Sequence, residues 1–414
     1  MIKQIFCALL LSPIFANSSL ADDASFPLLP LLKDAALTYP ILNHVVQQQT
    51  KYKLQVIYTQ VDRDSDGQPI LTTYQLGLND QQYFYPASTV KLPISLLALE
   101  WLEQHKGSGI SATTTMLTDS ASAEQTIQHS DLSNSKRVPN IAHYIKKILL
   151  VSDNDASNRL YELLGQDYIN NALAAKGLPN SLITHRLSLP LTPEQNRSYN
   201  PIRFVNDNNQ VLFQLPARIS TKQYLNNDKP VIGKAYIAAG KMVNRPMDFS
   251  DKNRLSLTDF DGIIKRIVFP ELFPVNQRFA ISTQQRDFVL RYMSMLPAAS
   301  LEPKYDPIAF PPNYSKFLMF GGANQIIPDH IKIFNKTGWA YGHVIDGAYI
   351  VDVKHQIEFF LTAVVYANDN EVLNDDNYQV EEIALPFLNQ LGNFLYQLEL
   401  KRHRKYKPTL SSIN

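Results

Sequence analysis

The strongest constraint on the fold is a nearly continuous apolar segment at residues 89–102. Such a segment is long enough for a helix, and a helix that is apolar on all sides must be surrounded by other parts of the protein. Pro93 is compatible with this helix because it falls near the first turn. We therefore predict a helix buried in the middle of the molecule. Its apolar residues are Val90, Leu92, Ile94, Leu96, Leu97, Ala98, Leu99, Trp101 and Leu102.

Alternating patterns predict β-strands near both ends of the chain. Residues 53–61 and 70–77 are rich in β-branched and aromatic side chains, and the polar stretch 62–67 between them is a turn signal. These two segments therefore predict a hairpin. Three further strands with short turns between them are predicted at 331–338, 343–353 and 357–367.

Helical patterns flank these strands and fill the middle of the chain. Residues 28–50, with an interruption at Pro40, and residues 380–402 predict terminal helices, and residues 112–174 are rich in helical patterning. Strands from both ends can pair in one sheet, with the terminal helices on one face. We predict an α/β protein of the α+β type, in which an antiparallel sheet flanked by terminal helices joins a large, mostly α lobe.

The same pattern predicts a domain organisation. Residues 22–100 and 330–405 form one discontinuous α/β lobe in this prediction. Residues 101–329 form the α lobe, which carries a long irregular insertion near 200–330, and 406–414 are a basic and polar tail.

Three short motifs carry candidate chemistry, and they occur in a fixed order. Residues 88–91 (Ser-Thr-Val-Lys) open the buried helix, residues 152–154 (Ser-Asp-Asn) precede a helical run, and residues 336–338 (Lys-Thr-Gly) lie on a late strand. Each motif alone is weakly specific. A second Ser-x-x-Lys match at 133–136 lies in a polar stretch without an apolar helix behind it, and we interpret it as a chance match.

The first motif predicts an activated serine. Ser88 and Lys91 are three residues apart, which places them on one face of a helix. A serine hydroxyl becomes a good nucleophile when a base takes its proton, and a lysine can be that base only when it is neutral. A free lysine has a pKa of about 10.4, but burial and nearby cations can lower it by several units. The buried helix supplies the burial, and Lys336 could supply the cation.

The three motifs together resemble the signature of class A β-lactamases and penicillin-binding proteins. The resemblance covers about residues 50–400 and implies a β-lactamase/transpeptidase-like fold. It implies that Ser88 is acylated with the assistance of Lys91. It also implies that Ser152 relays a proton to the leaving nitrogen, and that Asn154 orients Lys91 and the substrate amide.

The resemblance further assigns the late strand to substrate binding. It implies that Lys336 and Thr337 hold a substrate carboxylate, and that Gly338 lets the strand approach closely. The backbone N–H groups of Ser88 and Trp339 would form the oxyanion hole. A tryptophan is unusual after Lys-Thr-Gly, where a small or hydroxyl residue is usual.

The sequence departs from the family at the residue that activates the deacylating water. Class A enzymes use a loop glutamate there, with an asparagine four residues later. Glu194 is the only glutamate in 175–205, and Ser198 stands four residues after it. Two interpretations stay open: Glu194 is the catalytic base of an altered loop, or it is an ordinary surface carboxylate. In the second case Ser88 would be acylated, but the acyl group would be released slowly.

The first 21 residues predict a secretory signal peptide. Lys3 precedes a short, mainly apolar run at 5–16, and the small residues at 19–21 favour cleavage after Ala21. The only cysteine, Cys7, lies in this segment, so disulfides and thiol catalysis are excluded for the mature protein. We expect a periplasmic or secreted protein.

Composition excludes several other classes of function. The chain has 39 basic and 38 acidic residues and a net charge of +1, which argues against a nucleic-acid partner. The nine histidines are scattered, so we expect no metal and no cofactor. Contact with a membrane would be peripheral at most, through the basic residues that end the last helix.

Three functional hypotheses remain after sequence analysis. The first is an exported serine hydrolase that acts on an amide such as a β-lactam ring. The second is the same chemistry on a cell-wall D-alanyl peptide, which is penicillin-binding behaviour, or on an ester. The third is a catalytically weak exported binding protein that keeps the fold.

Overall fold

The computed structural model describes residues 25–323 and 325–410, except for the side chains of residues 36 and 37. The predicted signal peptide, at residues 1–21, lies outside this part of the chain. Among the described residues, no helix is both long and apolar enough to cross a membrane. The helices are α1 (Pro40–Gln47), α2 (Lys91–Gln104), α3 (Ile141–Val151), α4 (Asn154–Leu164), α5 (Gln166–Ala175), α6 (Pro193–Asn196), α7 (Leu257–Val268), α8 (Thr283–Ser294) and α9 (Leu385–Lys401).

Most of the strands are short. In chain order they are β1 (Phe26–Pro27), β2 (Gln55–Arg63), β3 (Pro69–Leu76), β4 (Thr115–Thr118), β5 (Ser181–Leu182), β6 (Ser198–Tyr199), β7 (Ile202–Val205), β8 (Val211–Leu215), β9 (Arg218–Ile219), β10 (Val231–Ile232), β11 (Ala235–Ala238), β12 (Lys241–Val243), β13 (Met247–Asp248), β14 (Arg254–Leu255), β15 (Ile331–Ala340), β16 (His343–Asp352), β17 (Ile357–Tyr366) and β18 (Val372–Leu373).

One six-stranded sheet organises the molecule. Its strand order is β1-β3-β2-β17-β16-β15, so the early hairpin pairs with the three late strands. Every pair is antiparallel except β1 with β3. Both long late strands β16 and β17 are buried over their whole length, because layers of helices cover both faces.

The terminal helices and the middle helices cover opposite faces of the sheet. Residues of α1 and α9 share one hydrophobic core with one set of sheet side chains. Residues of α2, α3, α4 and α7 share a second core with the other set. Gly347 of β16 makes room for this second layer, because a Cβ atom there would lie 2.5 Å from the ring of Phe260 on α7. The predicted fold class is confirmed.

Helix α2 runs through the middle of the second core. Every residue from Lys91 to Leu102 is buried. A 3₁₀ turn at Ala87–Val90 precedes the helix, and Pro93 is its third residue, where a missing N–H is tolerated. The motif that begins at Ser88 therefore stands at the entry to this buried helix.

The long insertion contains regular structure that the sequence did not predict. Between Ser198 and Leu255 it consists of short strands, which form small sheets of two or three strands each. Strand β11 of this insertion also pairs with β18, which comes from the C-terminal part of the chain. The strand segments of two to five residues were too short for a periodic signal, so the sequence alone predicted only irregular structure.

Candidate active site

Ser88 lies on the 3₁₀ turn that leads into α2, and it is partly exposed. The residue before it, Ala87, is buried and has a φ of +48°, a conformation that L-residues rarely adopt. Thr89 holds this turn by donating a hydrogen bond of 2.6 Å from its hydroxyl to the carbonyl of Pro86. This constrained turn fixes the position of the Ser88 backbone, from which the side-chain hydroxyl projects.

Lys91 is fully buried one turn after Ser88. Its Nζ donates to Asn154 Oδ1 at 2.6 Å, to Ser152 Oγ at 3.2 Å and to the carbonyl of Ser152. Burial lowers the pKa of Lys91 to about 7, although the nearby charge of Asp153 raises it. Burial therefore brings this amine close to losing its proton at neutral pH, which is what a base for Ser88 requires.

Ser152 and Asn154 reach Lys91 because two helices meet at this point. Ser152 ends α3 in the left-handed conformation, with φ of 60°. Asp153 then caps the N-terminus of α4 by accepting a hydrogen bond of 2.8 Å from Ala156 N. This sharp turn directs the carbonyl and hydroxyl of Ser152, and the amide of Asn154, toward the lysine.

Lys336 approaches Ser152 from the sheet. Its buried Nζ donates to Ser152 Oγ and to the carbonyl of Thr337, both at 2.8 Å. Burial lowers the pKa of Lys336 well below its usual range, and the charge of Lys91 lowers it further. Because Ser152 Oγ accepts hydrogen bonds from both lysines, its own O–H remains free to donate to a bound molecule.

A second buried polar network stands behind Lys336. Asn335 Oδ1 accepts a hydrogen bond of 2.6 Å from Lys316, and its Nδ2 donates at 2.7 Å to Asp346. Burial lowers the pKa of Lys316 and raises that of Asp346, while their opposite charges oppose both changes. The second oxygen of Asp346 accepts two backbone N–H groups, from Phe317 and Leu318. This network fixes β15 on the side away from Ser88.

Gly338 brings β15 directly against the turn that carries Ser88. A Cβ atom at Gly338 would lie 2.7 Å from the carbonyl oxygen of Pro86 and 3.2 Å from the backbone N of Ser88. The backbone of β15 and the N–H of Ser88 therefore face each other without a side chain between them. Trp339 follows, with 49% of its surface exposed.

Ser188 is a member of this cluster that sequence analysis missed. Its hydroxyl accepts a hydrogen bond of 2.8 Å from Nδ2 of Asn154. Asn158, one turn later on α4, binds both the N–H and the carbonyl of Leu187 at 2.8 and 3.0 Å. A buried ion pair of 2.9 Å between Arg186 and Glu162 anchors the same loop. No motif marked Ser188, because its place depends on the path of this loop.

Glu194 lies apart from the cluster. Its side chain is 69% exposed, and its carboxylate pairs with Arg197 at 3.5 Å. The cause is the short helix α6, which begins with a capping box at Thr192 and buries Asn196 on its inner side. Glu194 faces solvent as a result. The structure brings together the other predicted residues, Ser88, Lys91, Ser152, Asn154 and the strand 336–339, but not Glu194.

Aromatic side chains, one of them from the insertion, pack against the segment that precedes Ser88. Fully buried Phe249, from the insertion, packs 5.9 Å from Tyr85 and 5.2 Å from Tyr341, between ring centroids. His185 stacks on Tyr85 at 6.0 Å, and burial lowers the pKa of this histidine to about 4, so it is neutral. Tyr85 is three residues before Ser88, so this aromatic group stabilises the segment that positions the hydroxyl.

One family model matches most of the chain. Residues 39–397 match the model of the family described as "Beta-lactamase enzyme family". No curated protein matches the chain in sequence. The match to the family model covers every residue of the cluster around Ser88.

Several solved structures resemble the chain. A β-lactamase from Sphaerobacter thermophilus is 13% identical, with a TM-score of 0.48, and the match covers 88% of this chain and 97% of that one. The protein PBP-A is 16% identical, with a TM-score of 0.48 and the same coverages of 88% and 97%. A β-lactamase from Francisella tularensis is 16% identical, with a TM-score of 0.47, over 86% of this chain and 99% of its own.

Proposed function

Because this chain belongs to the β-lactamase enzyme family, we propose that it is a serine hydrolase whose Ser88 forms an acyl-enzyme with an amide such as a β-lactam ring. One observation carries the proposal. Lys91, one turn from Ser88, is fully buried, and its pKa is lowered to about 7. A neutral lysine in this position is the base that a serine nucleophile needs.

In the proposed acylation step, Lys91 takes the proton of Ser88 as Oγ bonds to the substrate carbonyl carbon. The charge that develops on the carbonyl oxygen is stabilised by the backbone N–H groups of Ser88 and Trp339. The close approach of Gly338 to Ser88 N supports this pairing of donors. The product is a tetrahedral intermediate with the proton on Lys91.

The intermediate then loses its nitrogen. The C–N bond breaks, Ser152 donates its hydroxyl proton to the nitrogen, and Lys91 returns a proton to Ser152. The observed hydrogen bonds of Ser152 Oγ with Lys91 and Lys336 support this relay. The result is an ester on Ser88 and a free amine on the leaving side.

Substrates with a carboxylate suit this site. Lys336 provides a buried amine beside Ser152, and the hydroxyl of Thr337 lies on the same strand. Burial lowers the pKa of Lys336, and a bound carboxylate would raise it again and favour the charged form. A charged lysine binds a carboxylate strongly when water is excluded. β-Lactams and D-alanyl peptides both carry such a group next to the reacting amide.

Release of the acyl group is the slow step in this proposal. Among the described residues, the side chains that hydrogen-bond Lys91, Asn154 and Lys336 are hydroxyls and an amide, and none is a carboxylate. Ser188 is the loop side chain that joins this network, through its hydrogen bond with Asn154. A neutral hydroxyl is a poor base for water, so the acyl-enzyme lacks an activated nucleophile.

We therefore expect a persistent acyl-enzyme. Intact-protein mass spectrometry over time, with a penicillin and a cephalosporin, should show an adduct of one molecule per chain. The lifetime of this adduct should be much longer than the time in which it forms. Ser188→Glu should shorten its lifetime, by about 10²-fold if the new carboxylate activates water. Glu194→Gln is the matched control, and it should leave the lifetime unchanged.

Other outcomes would reassign the function. Rapid release in the wild type, with a long-lived adduct only in Glu194→Gln, would make Glu194 the base and the protein a true β-lactamase. Absence of both adduct and hydrolysis, in the wild type as in Ser88→Ala, would indicate a binding protein that only keeps the fold.

Gly338→Ala is expected to slow acylation by about 100-fold. The new methyl group would meet the carbonyl of Pro86 at 2.7 Å, so β15 and the Ser88 turn must separate. A displacement of about 1 Å is enough for a loss of this size. Stopped-flow acylation measures it. The control is Gly107→Ala, at a site where a Cβ atom meets nothing within 4 Å, and an equal loss in both variants would contradict the account.

A further inference from the structure

Three potential metal ligands converge at one end of the sheet, away from the Ser88 cluster. His330, Asp352 and His355 each offer one ligand atom, and these atoms all lie within 4.8 Å of one another. They come from three segments: the residue before β15, the last residue of β16 and the turn that follows. The register fixes their approach, since Asp352 pairs with Ile331 and Val353 N donates to the carbonyl of His330 at 3.0 Å.

The Asp352 carboxylate is held in one orientation. Its side chain has no exposed surface. Oδ1 accepts the backbone N–H groups of Lys354 and His355 at 2.9 and 3.0 Å. Oδ2 accepts the hydroxyl of Tyr396, on α9, at 2.5 Å and lies 2.6 Å from Nδ1 of His355. Carboxylates that bind metals are oriented by hydrogen bonds of this kind from outside the ligand shell.

The two imidazoles complete a ligand set that suits a transition metal. The His330 and His355 rings are 5.9 Å apart between centroids and nearly perpendicular, at 80°. His330 is half-buried, and the His355 side chain is 42% exposed. Two imidazoles and one carboxylate are typical protein ligands of Zn²⁺. The side open to solvent leaves room for water in the fourth position.

We propose that His330, Asp352 and His355 bind a divalent transition-metal ion, with zinc as the ion to test. The ion would replace the proton between His355 Nδ1 and Asp352 Oδ2, which are 2.6 Å apart. Zinc ligands at about 2.0–2.2 Å in a tetrahedral site lie about 3.4 Å from each other. The exposed His355, on a turn, can make this small movement while Tyr396 keeps Asp352 in place.

This site is separate from the proposed catalytic site. His330 precedes Lys336 by six residues, and residues 331–336 lie on the extended strand β15. The distance along the backbone between His330 and Lys336 is therefore about 20 Å. Bound metal would tie β15, β16 and the following turn together. We therefore assign it a stabilising role, and its test does not depend on whether Ser88 reacts.

The test is zinc binding to the full chain without a polyhistidine tag, after treatment with EDTA and dialysis. Calorimetry with ZnCl₂ should show one ion per chain, and saturating zinc should raise the unfolding midpoint by several degrees, about 3–8 °C. His330→Gln and His355→Gln should each lose at least about 10-fold in affinity. Acylation of Ser88 should be the same with and without zinc.

His129→Gln is the matched control. His129 also pairs with an aspartate, Asp119 at 2.8 Å, but Arg203 occupies the other side of that carboxylate instead of a second histidine. This variant should bind zinc like the wild type. Absence of zinc binding in the folded wild type, or equal affinity in all four proteins, would overturn the proposal. Circular dichroism checks that each variant is folded, and His355→Gln, on an exposed turn, decides the matter if His330→Gln unfolds.

Discussion

Ser88→Ala is expected to abolish reaction with β-lactams, with a loss of at least about 10⁴-fold in the acylation rate. In a serine protease, removal of the serine nucleophile costs about 10⁶-fold, as much as removal of all the catalytic residues together. Lys91 and Ser152 remain in place in this variant, but they have no hydroxyl to activate. The measurement is the rate of adduct formation with a penicillin, together with turnover of a chromogenic cephalosporin.

The matched control is Ser133→Ala, in the second Ser-x-x-Lys segment of the chain. Ser133 Oγ bonds Asp131 at 2.6 Å and His143 at 2.8 Å, so this serine belongs to a local polar group on the way into α3. Its loss should leave acylation within about two-fold of the wild type. Acylation of Ser88→Ala at the wild-type rate would remove the nucleophile assignment.

The pH dependence of acylation is the second large effect. Below the pKa of about 7 of Lys91, its amine is charged and cannot accept the Ser88 proton. The acylation rate should therefore rise about tenfold per pH unit up to about pH 7 and level off above it. Rates measured between pH 5 and pH 9 with one β-lactam trace this curve.

Lys91→Ala tests whether this lysine is the origin of the curve. The variant should acylate at least 10²-fold to 10⁴-fold more slowly, which is the usual contribution of a general base, and the rise near pH 7 should disappear. The control is Lys106→Ala, just after α2, where the side chain is 80% exposed. A folded Lys91→Ala protein that keeps the same rise near pH 7 would exclude Lys91 as the base.

Much of the fold followed from periodicity. The predicted strands and the C-terminal helix agree with the observed elements to within about five residues. The predicted N-terminal helix is a 3₁₀ helix at Leu29–Leu37 followed by α1, which begins at Pro40, where the interruption was expected. The apolar run at 89–102 also predicted the burial of Lys91, because no polar face existed for the lysine to reach. Long elements with a clear period are the part of a structure that local sequence determines best.

The loop around Ser188 could not be predicted in this way. Its course depends on the Arg186–Glu162 ion pair and on Asn158, which join segments more than 20 residues apart. A search by spacing led to Glu194, whereas the structure brings Ser188 to Asn154. The grouping of His330 with Asp352 and His355 is hidden for the same reason, since strand pairing and not spacing brings His330 to the other two.

The assignment of Ser88 as the acylated residue is tested most directly by locating the adduct in the sequence. Wild-type protein that has reacted with a penicillin is digested with trypsin, and the peptides are sequenced by mass spectrometry. Cleavage after Arg63 and Lys91 gives the peptide 64–91, which contains Ser88. The account predicts one penicilloyl group on this peptide, at Ser88. A modification elsewhere, or an unmodified peptide 64–91 after the drug has been consumed, would contradict it.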